Sequence, residues 1–113
     1  MEKNLRLRKN EDYKKVYSRG FRFYNKDFNG LCLDSKNNGP RVGFTITKKY
    51  GKANMRNRTR RRLKEIVRLN RDILPNLDII IVPKKHTYTM DFNSLNDSYL
   101  NLIYFMNKRY KRK

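Results

Sequence analysis

Residues 56–65 read RNRTRRRLKE, and this run constrains the fold more than any other stretch of the chain. Charge this dense is either unstructured or one face of an element anchored by its other face. The spacing points to an anchored helix. At about 100° per residue, Thr59, Ile66 and Val67 fall within about 60° of Leu63. Arg60, Lys64, Asn57, Arg68 and Arg61 sweep from about 60° to about 160° on one flank, with Arg58 and Arg62 on the other. Arg56 falls near the apolar arc, so the first turn is expected to project beyond the core. Gly51 breaks the preceding segment, Asn54 is a candidate cap, and Pro75 marks the end.

A helix with one apolar face needs a layer to lie on. RVGFTITK (41–48) alternates, with Val42, Phe44 and Ile46 on one side and Gly43, Thr45 and Thr47 on the other. DIIIVP (78–83) is apolar without alternation, as in a strand covered on both faces. Strand, helix and strand suggest a βαβ unit with parallel strands. FRFYNKDFNGLCLD (21–34) reads as two strand pieces around Asn25-Lys26-Asp27, with Phe21, Phe23, Tyr24 and Phe28 in core or sheet packing and Cys32 as a small buried residue. NEDYKKVYSRG (10–20) reads as a short helix capped by Asn10 and closed by Gly20. Phe92, Leu95, Tyr99, Leu102, Ile103 and Met106 mark a C-terminal amphipathic helix that frays into a basic tail at about 107–113. The expected fold is one α+β domain over 1–113, an α-β-β-β-α-β-α two-layer sandwich with helices mainly on one side of a four-stranded sheet.

Lys and Arg number 29 against 10 Asp and Glu, a formal charge of +19. Self-repulsion of that size points to an anionic partner. Arg56, Arg60 and Lys64 repeat like charge at i,i+4, which destabilises a helix unless an anion intervenes. Arginine outnumbers lysine in the run, favouring forked phosphate contacts. A polyanion surface therefore outweighs an ordinary solvated face. The long coiled coil or second recognition helix of common DNA readers is missing, so RNA is expected rather than DNA. Tyr13 and Tyr17 either stack unpaired bases or pack with Val16; spacing leaves both open.

No segment approaches the ~18 apolar residues of a spanning helix, so no membrane partner is expected. The N-terminal MEKNLRLRKNEDYKK lacks an apolar targeting core, so a cytoplasmic location is expected. Cys32 and His86 are the single cysteine and histidine, too few for an internal disulfide or zinc. Protein acid–base nucleases usually need a pair of groups titrating near neutrality, so no catalytic residue and no protein-bound cofactor or metal is expected. His86, in KKHTY, reads as a surface loop residue.

At KKYGKANMRNRTRRRLKE the sequence resembles the signature of the bacterial ribonuclease P protein subunit. The matching positions are Lys48, Lys49, Gly51, Ala53, Arg56, Asn57, Arg58, Arg60 and Arg61. NEDYKKVYSRG resembles the family's first helix, RVGFTITKK its strand into the signature and DIIIVPK the strand after it. The resemblance implies a ribosomal protein S5 domain 2-like fold with a left-handed βαβ crossover, which the general handedness rule does not give. It implies the protein component of an endoribonuclease holoenzyme, in which the RNA subunit, with Mg2+, removes the 5′ leader of precursor tRNA. By position, Arg56, Asn57, Arg58, Arg60, Arg61, Lys64 and Arg68 serve the RNA subunit, and Tyr13, Tyr17, Leu31, Lys48 and Lys49 the leader. Relatives often carry an aromatic where Leu31 stands, and a leucine stacks less well. The alternative is a ribosomal or general basic RNA-binding protein without a role in cleavage.

Overall fold

The apolar run Leu77–Pro83 forms the strand on which the other elements are placed. In the computed structural model, which describes residues 3–36 and 38–111, the elements are α1 (Asn10–Arg19), β1 (Phe21–Tyr24), β2 (Phe28–Asp34), β3 (Arg41–Phe44), α2 (Ala53–Leu69), β4 (Leu77–Pro83) and α3 (Phe92–Lys111). The sheet order is β1-β2-β4-β3, with β3–β4 parallel and the other pairs antiparallel. The α-β-β-β-α-β-α order is the one expected, and α2 crosses between the parallel strands.

Because β4 is an inner strand, its alternate side chains are buried on opposite faces. Ile79 and Ile81 join Leu63, Ile66 and Val67 of α2 and Leu95, Tyr99, Leu102, Ile103 and Met106 of α3 in the main core, with Cys32. Ile80 points the other way, into a second cluster with Leu7, Val16 and Leu31. The expectation of helices mainly on one side therefore holds for α2 and α3 only. α1 covers the reverse face, which the continuous apolar run of β4 requires.

Four local readings are corrected. β3 ends at Phe44 rather than Lys48; Thr45 adds one further ladder bond, to Ile81 O at 3.0 Å, and Lys48–Tyr50 form a 3-10 turn. Asn10 and Asn54 cap nothing, since α1 begins at Asn10 and α2 at Ala53, behind Lys9 and Lys52. The helical backbone of α3 continues to Lys111, through most of the expected tail, whose residues 112–113 lie outside the described residues. Phe28 is buried and Phe23 half-buried, but Phe21 and Tyr24 are 41% and 75% exposed, because β1 is a short edge strand.

Polar contacts fix the layers. Arg41 and Asp78, direct partners across the parallel pair, form a two-pronged ion pair at 2.7 Å for both contacts, Nε–Oδ1 and Nη2–Oδ2. Arg62 donates to the carbonyl of Met90, holding α2 to the start of α3. Thr59 donates to the Tyr50 hydroxyl at 2.9 Å, and Tyr50 meets Thr87 Oγ1 at 3.0 Å. Thr87 donates onward to Lys84 O at 2.6 Å, so the chain runs in one direction from α2 to the turn after β4. Both threonines and Tyr50 are buried. Tyr50→Phe leaves Thr87 without its donor and is expected to lower unfolding free energy by about 1–3 kcal/mol in urea titration, with an unchanged denaturant slope.

Candidate nucleic-acid interface

Gly43 determines where Tyr13 lies. A Cβ at position 43 would stand 2.2 Å from the Tyr13 hydroxyl oxygen and 2.7 Å from Cζ, so the ring occupies the space a side chain would fill. Burial pushes the Tyr13 hydroxyl above its ordinary pKa, and its hydrogen bond with the Phe44 backbone only partly offsets this. Tyr13, Gly43 and Phe44 line an open pocket of about 120 Å³ together with Arg6, Arg60 and Lys64. One turn along α1, Tyr17 is 42% exposed and its hydroxyl donates to Thr45 Oγ1 at 2.7 Å. Tyr13 from α1 and the cations Arg60 and Lys64 from α2 thus border one pocket, with Tyr17 beside Thr45 next along α1. The carboxylates beside it, Asp12 and Asp78, face Arg41, at 3.5 Å and 2.7 Å respectively.

Much of the remaining α2 surface faces outward. Asn57, Arg58, Arg61 and Arg68 are exposed, and Arg60 Nη1 donates to Asn57 Oδ1 at 3.3 Å. The Arg58 guanidinium lies 5.9 Å from the ring centre of Tyr88. Lys48 and Lys49 are exposed on the 3-10 turn that joins the Thr45 segment to α2.

This geometry has close relatives. A sequence profile described as Ribonuclease P matches residues 1–107. The chain belongs to the ribonuclease P protein family. It is 45% identical over 103 residues to the ribonuclease P protein component of Finegoldia magna, covering 90% of each. It superposes on the RNase P protein from Thermotoga maritima with a TM-score of 0.81 at 30% identity, over 87% of this chain and 94% of that one. A Staphylococcus aureus RNase P protein mutant with defective mRNA degradation activity gives a TM-score of 0.87 at 25% identity, over 95% of this chain and 92% of that one.

Within the ribonuclease P signature, the structure sorts the residues the sequence grouped. Arg56 does not project outward from the first turn: its guanidinium folds back and donates to Gly51 O at 2.7 Å, bracing the break before α2. Arg68 pairs with Glu65, Nε to Oε1 at 2.7 Å, so its charge is partly answered within the helix. Leu31 is corrected from cleft surface to core. It is 5% exposed and packs with Leu7, Val16 and Ile80 beneath α1, where a leucine fills the layer. His86 is on the surface as expected, and its Nε2 lies 2.7 Å from Oδ1 of buried Asp27. Burial pushes the Asp27 carboxyl up, but hydrogen bonds with Ser98 and His86 outweigh it and hold it below the usual range.

Arg6, Phe44 and Thr45 were absent from the sequence-derived site. For Arg6 a signal exists: Leu5-Arg6-Leu7-Arg8 alternates, with both leucines buried and both arginines exposed, and Arg6 bridges to Val42 beside β3. Gly43→Ala is expected to cost about 1–3 kcal/mol of stability by overpacking, and clearly less when Tyr13 is already alanine. Chemical denaturation of the two single variants and the double variant measures this; an equal cost in both backgrounds would mean that Tyr13 does not fill the space.

Proposed function

We propose that the protein docks on the ribonuclease P RNA subunit through α2 and holds the 5′ leader of precursor tRNA in the groove beside α1. Asn57, Arg58, Arg60, Arg61, Lys64 and Arg68 meet phosphates of the RNA subunit, and Arg56 braces the turn that presents them. Tyr13 and Tyr17 receive unpaired leader bases, with Lys48 and Lys49 flanking the strand. The observation that carries this reading is the shared groove: Tyr13 of α1 and the cations Arg6, Arg60 and Lys64 line one open pocket, and Tyr17 stands one turn further along α1 with its hydroxyl on Thr45. Aromatic rings beside cations suit a single strand, whose bases stack while its phosphates are neutralised.

The chain acts as a component of an endoribonuclease, and its contribution to leader removal is electrostatic and positional. Bond cleavage rests with the RNA subunit, and we assign no catalytic residue here. The Mg2+ of the reaction belongs, in this reading, to the RNA subunit, because Mg2+ keeps several waters and is commonly held through phosphate oxygens. Among the described residues no helix is long and apolar enough to cross a membrane. The proposal also takes RNA rather than DNA as the partner and the cytoplasm as the location, as the partner's chemistry and the lack of an apolar targeting core suggest.

Reconstitution tests this directly. Mixed with a bacterial ribonuclease P RNA at low magnesium, the chain is expected to stimulate leader removal, with no cleavage by the chain alone. Absence of stimulation would favour a general RNA-binding protein. In the reconstituted holoenzyme, Tyr17→Ala is expected to weaken precursor tRNA more than mature tRNA.

A further inference from the structure

Strand register shows where the groove leads. Alternate residues of a strand share a face, so Arg22, Tyr24, Asn29 and Val82 lie on the same side as Leu31 and Ile80, the side covered by α1. The first row across this face runs Gly43, Ile80, Leu31 and Arg22, with Tyr13 over Gly43 and Val16 packed in the Leu31–Ile80 cluster. The next row runs Thr45, Val82, Asn29 and Tyr24. Asn29 pairs with both Val82 and Tyr24, and Thr45 extends the ladder beside Val82 by donating to Ile81 O. Tyr17 stands at one end of this row, hydrogen-bonded to Thr45. At the other end Tyr24 is 75% exposed, more than any other large apolar or aromatic side chain among those identified as exposed.

The charges along the row are positive. Arg22 is exposed two residues from Tyr24 on the same face of the edge strand. Lys84 reaches the β1–β2 turn, donating from Nζ to Asn25 O at 2.8 Å, and Lys26 is exposed in that turn. The turn's own carboxylate, Asp27, is buried against His86, and Asp78 at the far end of the face is held by Arg41. A half-buried valine, an amide and one bare aromatic ring between cations give little apolar area for docking a protein. They suit a polynucleotide strand.

We propose that the leader path continues past Tyr17 across the sheet, along Thr45, Val82 and Asn29, and ends with a base stacked on Tyr24 and a phosphate near Arg22. This rests on the leader-groove reading above. From Thr45 to Tyr24 the path crosses three strand spacings, roughly 14 Å, the span of about two to four nucleotides. Tyr24 is thereby assigned as a leader-binding residue that responds to leader length.

The test uses the reconstituted holoenzyme and precursor tRNAs whose leaders lengthen one nucleotide at a time, with dissociation constants measured at fixed salt for the wild type, Tyr17→Ala, Tyr24→Ala and Tyr24→Phe. Tyr24→Ala is expected to weaken long-leader precursors about tenfold, the effect of removing one stacking ring, and to leave the shortest leaders unchanged. The loss should begin about two to four nucleotides beyond the length at which Tyr17→Ala first acts. Tyr24→Phe, which keeps the ring, should bind as the wild type does. Equal loss at every leader length, or no loss on the longest, overturns the extension. If Tyr17→Ala still discriminates leader-bearing from mature tRNA, the groove reading survives that failure; if neither variant discriminates, both readings fall.

Discussion

Helix α2 must be held on one side by the core while carrying like charge on its others. Leu63, Ile66 and Val67 are fully buried, and Thr59 nearly so, which fixes the helix against β4 and α3. Their burial supplies what the helix surface lacks, since i,i+4 arginines repel by a few tenths of a kcal/mol per pair. The fold relieves some of that repulsion locally. Arg56 turns to Gly51 O, Arg62 to Met90 O and Arg68 to Glu65. Among the described residues no carboxylate pairs with Arg60, Arg61 or Lys64. These three remain for an external anion, and two of them, Arg60 and Lys64, line the pocket beside Tyr13.

The groove depends on the same anchoring. The Thr59–Tyr50–Thr87 chain fixes α2 to the turn before it and to the turn after β4, and so sets where Arg60 and Lys64 stand relative to β3. On the opposite wall, the missing side chain at Gly43 admits Tyr13, and Thr45 receives Tyr17. Arg41, bound to Asp78 and reaching Asp12, ties α1 to the sheet while occupying the carboxylates that would otherwise repel phosphate. In the proposed function, stability and recognition therefore share residues.

Much of this was legible in the sequence. Periodicity placed Thr59, Leu63, Ile66 and Val67 inward and gave the element order, because period and side-chain direction are local properties. The spacing from Lys48 to Arg61 supplied the family. Periodicity does not say which layer covers a face, and the errors follow from that. The β4 run implied cover on both faces, yet only tertiary placement brings α1 to the second, burying Leu31. Arg56, close to the apolar arc by angle, finds a carbonyl five residues back that no helical wheel displays. Tyr24 resembles Phe28 in composition and differs from it in standing on an edge strand, a fact of sheet order rather than of sequence.

The central claim is that the positive charge gathered on α2 and around the groove is answered by RNA phosphate. Its most direct test is the salt dependence of the affinity for ribonuclease P RNA. With about six phosphates neutralised, the logarithm of the association constant should fall against the logarithm of salt with a slope of about −4 to −5, so that doubling the salt weakens binding roughly 20-fold. Replacing Arg60, Arg61 and Lys64 together with alanine should flatten that slope by about 2 to 3. A slope near zero, or one unchanged by their removal, would contradict the account.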